Sequence, residues 1–478
     1  MTFPNRCFGR MAGGLLALAL LLAGCNDEEE TGAPEADHRS EVGVVPPAEQ
    51  PPGDPEAGYS ALVNAPYVSC GIPYDAYRRV APETAAEDLL PGREGRNAEL
   101  PYAATAHVNE EGVEIVSSNC LTCHAAHAGG ELIVGLGNEF GDFTGDPTRM
   151  ALQAGNYVRG EAETDAWAHW ADRLDGIAPY IRTKTVGVNP APNLTWALMA
   201  HRDPETMEWS DTPLIDPPPE DPLPISVPPW WGMAKKNAMF YTTIGRGDHS
   251  RFMLLASMLC VESTDEVAEI DGYADDIRAF IASLEAPAYP YPVDEALAAA
   301  GAEIFARECS ACHGTYGDEE TYPNRVYGVD EVGTDPAYAV EATDGSRDRF
   351  YRWVARSPYG DAETAAPARG YIAPPLDGVW ATAPYLHNGS VPSMAALLSS
   401  ALRPTYWRHA TEPRRYDRQA MGWSHEALRP DEVEQAGPEA LRAIYDTTLR
   451  GYGNEGHTYS DDLSEADRAA LLEYLKTL

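Results

Sequence analysis

Asp294-Glu295-Ala296-Leu297-Ala298-Ala299-Ala300-Gly301-Ala302-Glu303-Ile304-Phe305-Ala306-Arg307-Glu308-Cys309-Ser310-Ala311-Cys312-His313 is the stretch from which the fold is read. Asp294 is a residue type that caps helix N-termini. Leu297, Gly301, Ile304 and Phe305 then recur at helical spacing and share one face. Upstream, Pro287, Pro290 and Pro292 break the chain after a segment, Tyr273 to Leu284, whose Ile277, Phe280, Ile281 and Leu284 follow the same rule. The capped helix runs directly into a Cys-x-x-Cys-His pentapeptide, which has three chemical readings: a thiol–disulfide pair, half of a zinc site, or a covalent haem attachment.

A second copy decides among them. Cys120-Leu121-Thr122-Cys123-His124 repeats the spacing, far outside the separation of about 15–20 residues that joins two Cys pairs into one zinc ribbon. In each copy the two thiols add to the haem vinyl groups, and the adjacent histidine, His124 or His313, reaches the iron as proximal ligand. Two covalently bound haem c groups are therefore expected. At the C-terminus Ser464 and Asp467 make a capping-box pattern ahead of Leu471, Leu472, Leu475 and Leu478. A helix entering the motif and a closing terminal helix are the organisation of a cytochrome c domain.

The 478 residues are too many for one such domain. The expected fold is mainly α: two cytochrome c-like haem domains with long irregular loops, the N-terminal one enlarged, over 59–288 and 289–478. Asp216 to Trp231 is proline-dense and reads as loop or extended chain. The formal charge of −39 excludes a nucleic-acid-binding surface and suits a basic redox partner, such as a small cytochrome. The N-terminus reads as targeting sequence. Arg6 and Arg10 precede a short apolar run ending Leu22-Ala23-Gly24-Cys25, which resembles a lipoprotein signal (1–24) with Cys25 as the lipidated residue. Residues 25–58, rich in Glu, Asp, Pro and Gly, read as a disordered tether. The expected location is periplasmic or at the cell surface, with the membrane reached only through the lipid. Of the eight cysteines only Cys70 and Cys260 are then unassigned, and they form a candidate disulfide.

The sixth ligand of each iron separates an electron carrier from an enzyme, because an open iron can take peroxide or oxygen. For the second haem the candidates are His387, Met394, Met421 and His457. For the first, His249 in Gly245-Arg246-Gly247-Asp248-His249 is the candidate that would close it.

Ala373-Pro374-Pro375-Leu376-Asp377-Gly378-Val379-Trp380-Ala381-Thr382-Ala383-Pro384-Tyr385-Leu386-His387-Asn388-Gly389-Ser390-Val391-Pro392 resembles the bacterial di-haem cytochrome c peroxidase superfamily, most closely the branch of rubber oxygenase-like di-haem cytochromes. Val227-Pro228-Pro229-Trp230-Trp231, Lys235 to Tyr241 and Gly451 to His457 are similar to that branch as well. The resemblance implies that His387 ligates the second haem and that the first haem is the reactive one. It makes Trp230, Trp231, Phe240 and Tyr241 candidates for the reactive pocket or the path between haems. Glu139 is a candidate acid–base for peroxide cleavage. The expected activity is peroxide reduction at the N-terminal haem with electrons delivered through the C-terminal one. The alternatives are an oxygenase acting on an apolar substrate and a membrane-anchored electron carrier. A chain shorter than a full rubber oxygenase, with a lipid anchor, departs from polymer cleavage.

Overall fold

The computed structural model describes residues 42–360, 364–410 and 415–478, and His38–Leu478 forms one compact unit. Cys7, Cys25 and the expected signal lie outside the described residues. About 39% of the chain is helical and 13% strand. "Mainly α" thus holds only loosely, because among the described residues five small antiparallel sheets interleave with the helices.

The longest helices form where caps and apolar spacing agree. Helix α1 (Pro55–Asn64) is capped by Asp54. It packs on α2 (Thr264–Ser283), which Ser263 caps through the Glu266 amide. The periodic segment read from Tyr273 is therefore the second half of a longer helix. Helix α3 (Glu295–Glu308) has the expected Asp294 cap, bonded to the Ala296 and Leu297 amides. Its buried face is Ala298, Gly301, Ile304 and Phe305, and Leu297 points to solvent. Helix α4 (Glu465–Leu475), capped by Ser464, lies across it. At the crossing a Cβ on Gly301 would stand 2.1 Å from the Ala470 carbonyl oxygen, so only glycine allows this approach.

Two large apolar cores result, and they do not follow the division expected at 288/289. The first gathers Leu62 through Ile281 but also takes in Phe350, Trp353, Val354 and Tyr359. The second gathers Ile304 through Leu475 but takes in Ala126, Leu136 and Trp231. Each half of the sequence lends an element to the core of the other.

The tether expected over 25–58 is docked along its C-terminal part. Val45 is buried with Val326 and Ile372, and its amide donates to the Asn324 carbonyl at 2.7 Å. The Gln50 side chain spans Gly247 and His249. Gly53 lies so close to Asp275 that a Cβ would reach its carbonyl oxygen at 2.3 Å. Low apolar content made this stretch look free, but extended proline-rich chain needs few side chains to lie in a groove whose walls supply the hydrogen bonds.

Cys70 and Cys260 are joined in a disulfide, Cα–Cα 5.5 Å. Among the described residues no helix is long and apolar enough to cross a membrane.

Candidate haem-binding sites

The C-terminal motif has the local build the sequence implies. Helix α3 ends at Cys309, and a short turn, Ser310–His313, presents the histidine. Its Nδ1 lies 2.8 Å from the Pro374 carbonyl. A carbonyl only accepts, so Nδ1 carries the proton and Nε2 is left as the ligand atom. Tyr322 fixes that loop by donating to the Ala373 carbonyl at 2.6 Å. Burial lowers the His313 pKa, keeping the imidazole in the neutral form that ligation requires.

The ring facing His313 is His457, with centroids 6.2 Å apart. Two imidazoles holding one metal from opposite faces, each at a bond length of about 2 Å, have centroids about 6 Å apart. The spacing fits an iron between them. Burial first, then His313 and Arg403, lower the His457 pKa to about 4, so this ring is neutral too.

His387 does not occupy that place. Its ring stacks on Tyr371 at 4.1 Å and meets Tyr241 edge-on at 6.2 Å. The expectation of His387 as second-haem ligand is corrected accordingly. A histidine in a Pro/Gly loop is placed by where the loop's backbone is tied, and the His387 carbonyl is tied to the Ser226 amide. The rivals Met394 and Met421 are buried in the second core, the Met394 amide bonded to the Met421 carbonyl.

The N-terminal motif is built differently. A strand, Glu114–Ser118, leads into it instead of a helix, and a hairpin, Ala125–Ala128 with Glu131–Val134, follows at once. The Gly129-Gly130 turn has positive φ at both positions, as a tight hairpin requires. At the hairpin's end Gly135 donates to the His124 carbonyl and accepts from the Trp230 amide, both at 2.8 Å. That bracket lays Trp230 on His124, with rings stacked at 4.6 Å. Among the described residues this is the ring contact His124 makes. Burial takes the His124 pKa to about 3, and its Nδ1 is buried without a partner. Trp231, the next residue, turns into the second core and donates to the Asp377 carbonyl at 2.7 Å. His249 is buried; its amide donates to Gln50 Oε1 at 3.0 Å, its ring bonds the Asn237 backbone, and its Nε2 is buried without a partner. Phe240 packs on Phe252.

Glu139 is buried, not a solvated loop carboxylate. Asn138 ties the segment to the motif, its amide to the Cys123 carbonyl (2.9 Å) and its side chain to the Thr122 carbonyl (3.1 Å). Glu139 Oε1 accepts from Ser226 Oγ (2.8 Å) and the Val227 amide (3.2 Å), and Oε2 is buried with no partner. Burial outweighs those two bonds and pushes the pKa up to about 8. The carboxyl therefore holds a proton at neutral pH. Sequence reading missed Ser226, for which a serine in a proline-rich loop offers no signal.

The segments Val227–Thr243 and Ala373–Gly389 follow much the same backbone course, apart from Gly232, with φ −79° where Gly378 has +60°. Pro228-Pro229 matches Pro374-Pro375, and the turn Met233–Lys235 matches Val379–Ala381. Phe240 and Leu386 share a left-handed φ of 66° and 68°. The Met239 amide bonds to the Gly245 carbonyl as the Tyr385 amide does to Val391. The copies meet across a local two-fold: Ser226 N donates to the His387 carbonyl (2.9 Å) and Ile372 N to the matching Tyr241 carbonyl (2.8 Å).

The donor set fits haem c. All four motif cysteines are free thiols rather than disulfides. Among the described residues no group of three His, Cys, Asp or Glu side chains gathers as a metal-ion site. The unpartnered His124 Nδ1 matches, through the repeat, an imidazole that Pro374 holds in the other copy.

Residues 370–408 match the RoxA-like, cytochrome c-like family. Over 241 residues the chain is 30% identical to an uncharacterized protein, y4iM, of Sinorhizobium fredii (strain NBRC 101917 / NGR234), covering 41% of this chain and 52% of that protein. A second uncharacterized protein of the same organism, y4iJ, is 29% identical over 292 residues, 47% of each chain. The chain thus spans about half the length of the curated relatives it matches.

Proposed function

We propose that the protein is a c-type cytochrome with covalently bound haem c that transfers electrons, a reading supported by its match over residues 370–408 to the RoxA-like, cytochrome c-like family. We propose further that it holds two haems and is an oxidoreductase that reduces peroxide at the N-terminal site with electrons delivered by way of the C-terminal site. What supports this reading is the inequality of the two motifs. His313 is faced by His457, so this pair would hold a haem iron between two protein imidazoles, which would supply electron-transfer chemistry there. His124 is backed by Trp230 instead. The cofactor supplies one-electron chemistry when bound, and the protein supplies position and protons. Reduction of hydrogen peroxide to two waters consumes two electrons and two protons. Glu139 stores one such proton on its carboxyl, oriented by Ser226 and Val227, and gives it up at Oε2. Trp230 and Trp231, adjacent in sequence, reach from His124 to the loop beside Pro374 and are the proposed path between the sites.

A second reading, oxygen-dependent attack on an apolar substrate at the same site, is favoured by the RoxA-like match. Under either reading Cys25 anchors the protein on the outer face of a bacterial membrane, and a basic cytochrome docks on the acidic surface. A Cys25→Ser form should then leave the membrane fraction.

Optical and EPR spectra of the oxidised protein test the central claim. One low-spin and one cyanide-sensitive high-spin iron are expected. Two low-spin irons indifferent to cyanide would sink both enzyme readings. Turnover with peroxide and a reduced cytochrome, set against oxygen uptake with an apolar alkene, separates the two. A Glu139→Gln form should lose about 100-fold or more in peroxide turnover.

A further inference from the structure

We infer that Arg403 is the positioning residue that keeps His457 on the iron of the second site; the inference rests on the reading of His457 as axial ligand. His457 stands on chain that would not stay there unaided. Its φ is +45°, a left-handed conformation that costs a residue with a β-carbon. Gly456 before it has φ +72°, and a Cβ there would lie 2.2 Å from the Gly333 carbonyl carbon. Residues 452–458 belong to no helix or strand. The His457 amide has one backbone anchor, the Val332 carbonyl at 2.9 Å.

Asn388, Asp335 and Asn454 tie the loop at 451–454, and the Gly456 and His457 carbonyls next to the ring are held by one guanidinium. Arg403 Nη1 donates to the Asn454 and Gly456 carbonyls (2.6 and 2.7 Å), and Nη2 to the His457 carbonyl (3.1 Å). Nε and Nη2 donate to the Ala396 and Leu397 carbonyls (3.1 and 3.2 Å) at the end of the short helix Met394–Leu397. A guanidinium has five N–H groups in a fixed plane, and all five are used on backbone carbonyls. Among the described residues no carboxylate forms a salt bridge with it, and its hydrogen bonds all hold backbone. The side chain is itself braced: Asp461 accepts from the Ser400 amide and hydroxyl, fixing the turn that precedes it. Lysine cannot replace this fork, because its ammonium offers three donors from one point.

While the loop is clamped, His457 holds the second site closed and low-spin. When the clamp loosens, His457 leaves and the site opens. The experiment uses the full-length, haem-loaded protein. In Arg403→Lys we expect a new high-spin signal in EPR and optical spectra, carbon monoxide binding to the reduced second haem, and return of the low-spin signal on adding imidazole. Arg403→Gln, with a smaller planar amide, should show the same to a lesser degree, and serves if the lysine variant does not fold. Methylguanidinium added to Arg403→Ala should restore part of the low-spin signal. His457→Ala separates the two ideas. If it leaves the low-spin count unchanged, the ligand reading fails. If it opens the site while both Arg403→Lys and Arg403→Gln stay wholly low-spin and refuse carbon monoxide, the positioning role is overturned.

Discussion

Replacing Glu139 with glutamine should make the protein's stability less sensitive to pH, with a slope fixed by the burial of one carboxyl. In the fold the group keeps its proton up to about pH 8, against 4.5 ordinarily. Below pH 4.5 both folded and unfolded chains carry the proton, and nothing is lost. Above it the unfolded chain releases the proton while the fold retains it, so stability falls as pH rises. The loss is about 1.4 kcal/mol per pH unit and levels off near pH 8, where the folded group ionises as well. Across the window it is on the order of 5 kcal/mol, a large share of the stability of an ordinary domain.

The glutamine form has no such proton. Its amide oxygen can still accept from Ser226 and Val227, but its NH2 replaces the unpartnered Oε2, at a fixed cost of about 1–3 kcal/mol. That offset does not vary with pH. The difference in unfolding free energy, variant minus wild type, should therefore climb steadily from pH 5 to pH 8. Urea titrations of both proteins at pH 5, 6, 7 and 8, followed by circular dichroism, measure it directly, and contributions from other groups cancel. Two parallel pH profiles would show that the carboxyl is ionised in the fold, and would remove Glu139 as a proton store.

Two further outcomes test the frame around the sites. Cys70 and Cys260, 190 positions apart, enclose the N-terminal motif; changing both to alanine should cost about 5 kcal/mol in the chain-entropy estimate, read as a lower urea midpoint under non-reducing conditions. A midpoint that does not move would show the bond to be dispensable. In Gly301→Ala the gain of about 1 kcal/mol in helix propensity is outweighed by the collision with Ala470, so a net loss of about 2 kcal/mol is expected, and an equal or higher midpoint would mean that α3 and α4 can part freely.

Much of the C-terminal half was legible because its signals are local. The Asp294 and Ser464 caps, the apolar faces and the Cys309–His313 spacing each lie within a few turns of chain. The strands around Cys120 were not legible: pairings of two to five residues carry too little alternation to detect. The exchange of elements between cores was not legible either, since Phe350 and Trp353 look like any buried aromatics until their neighbours are known. His387 and His457 show the limit for site residues. Both stand in glycine-rich loops, and the difference lies in partners distant in sequence, Ser226 for one and Arg403 for the other. Burial turned Glu139 from a surface acid into a proton-holding one, through a hydroxyl 87 positions downstream.

Under the proposed function, the surroundings of the repeat account for unequal chemistry at two equal motifs. Within the copies most of the turn bonds correspond, although Gly232 has φ −79° where Gly378 has +60°, and the copies also differ in side chains at matching places and in what each is followed by. At the place where the first copy has Trp230, the second has Leu376, which cannot stack on an imidazole. Where the first has Tyr241, the second has His387, and the two rings meet near the local two-fold. The facing ligand belongs to neither copy. After the second copy the chain goes on to Arg403 and returns with His457; after the first it passes Cys260 and enters α2, which packs on α1. The two copies stand beside motif histidines, His124 and His313, that belong to neither, and under the proposed function the loop that Arg403 helps to hold would close one site and leave the other for chemistry.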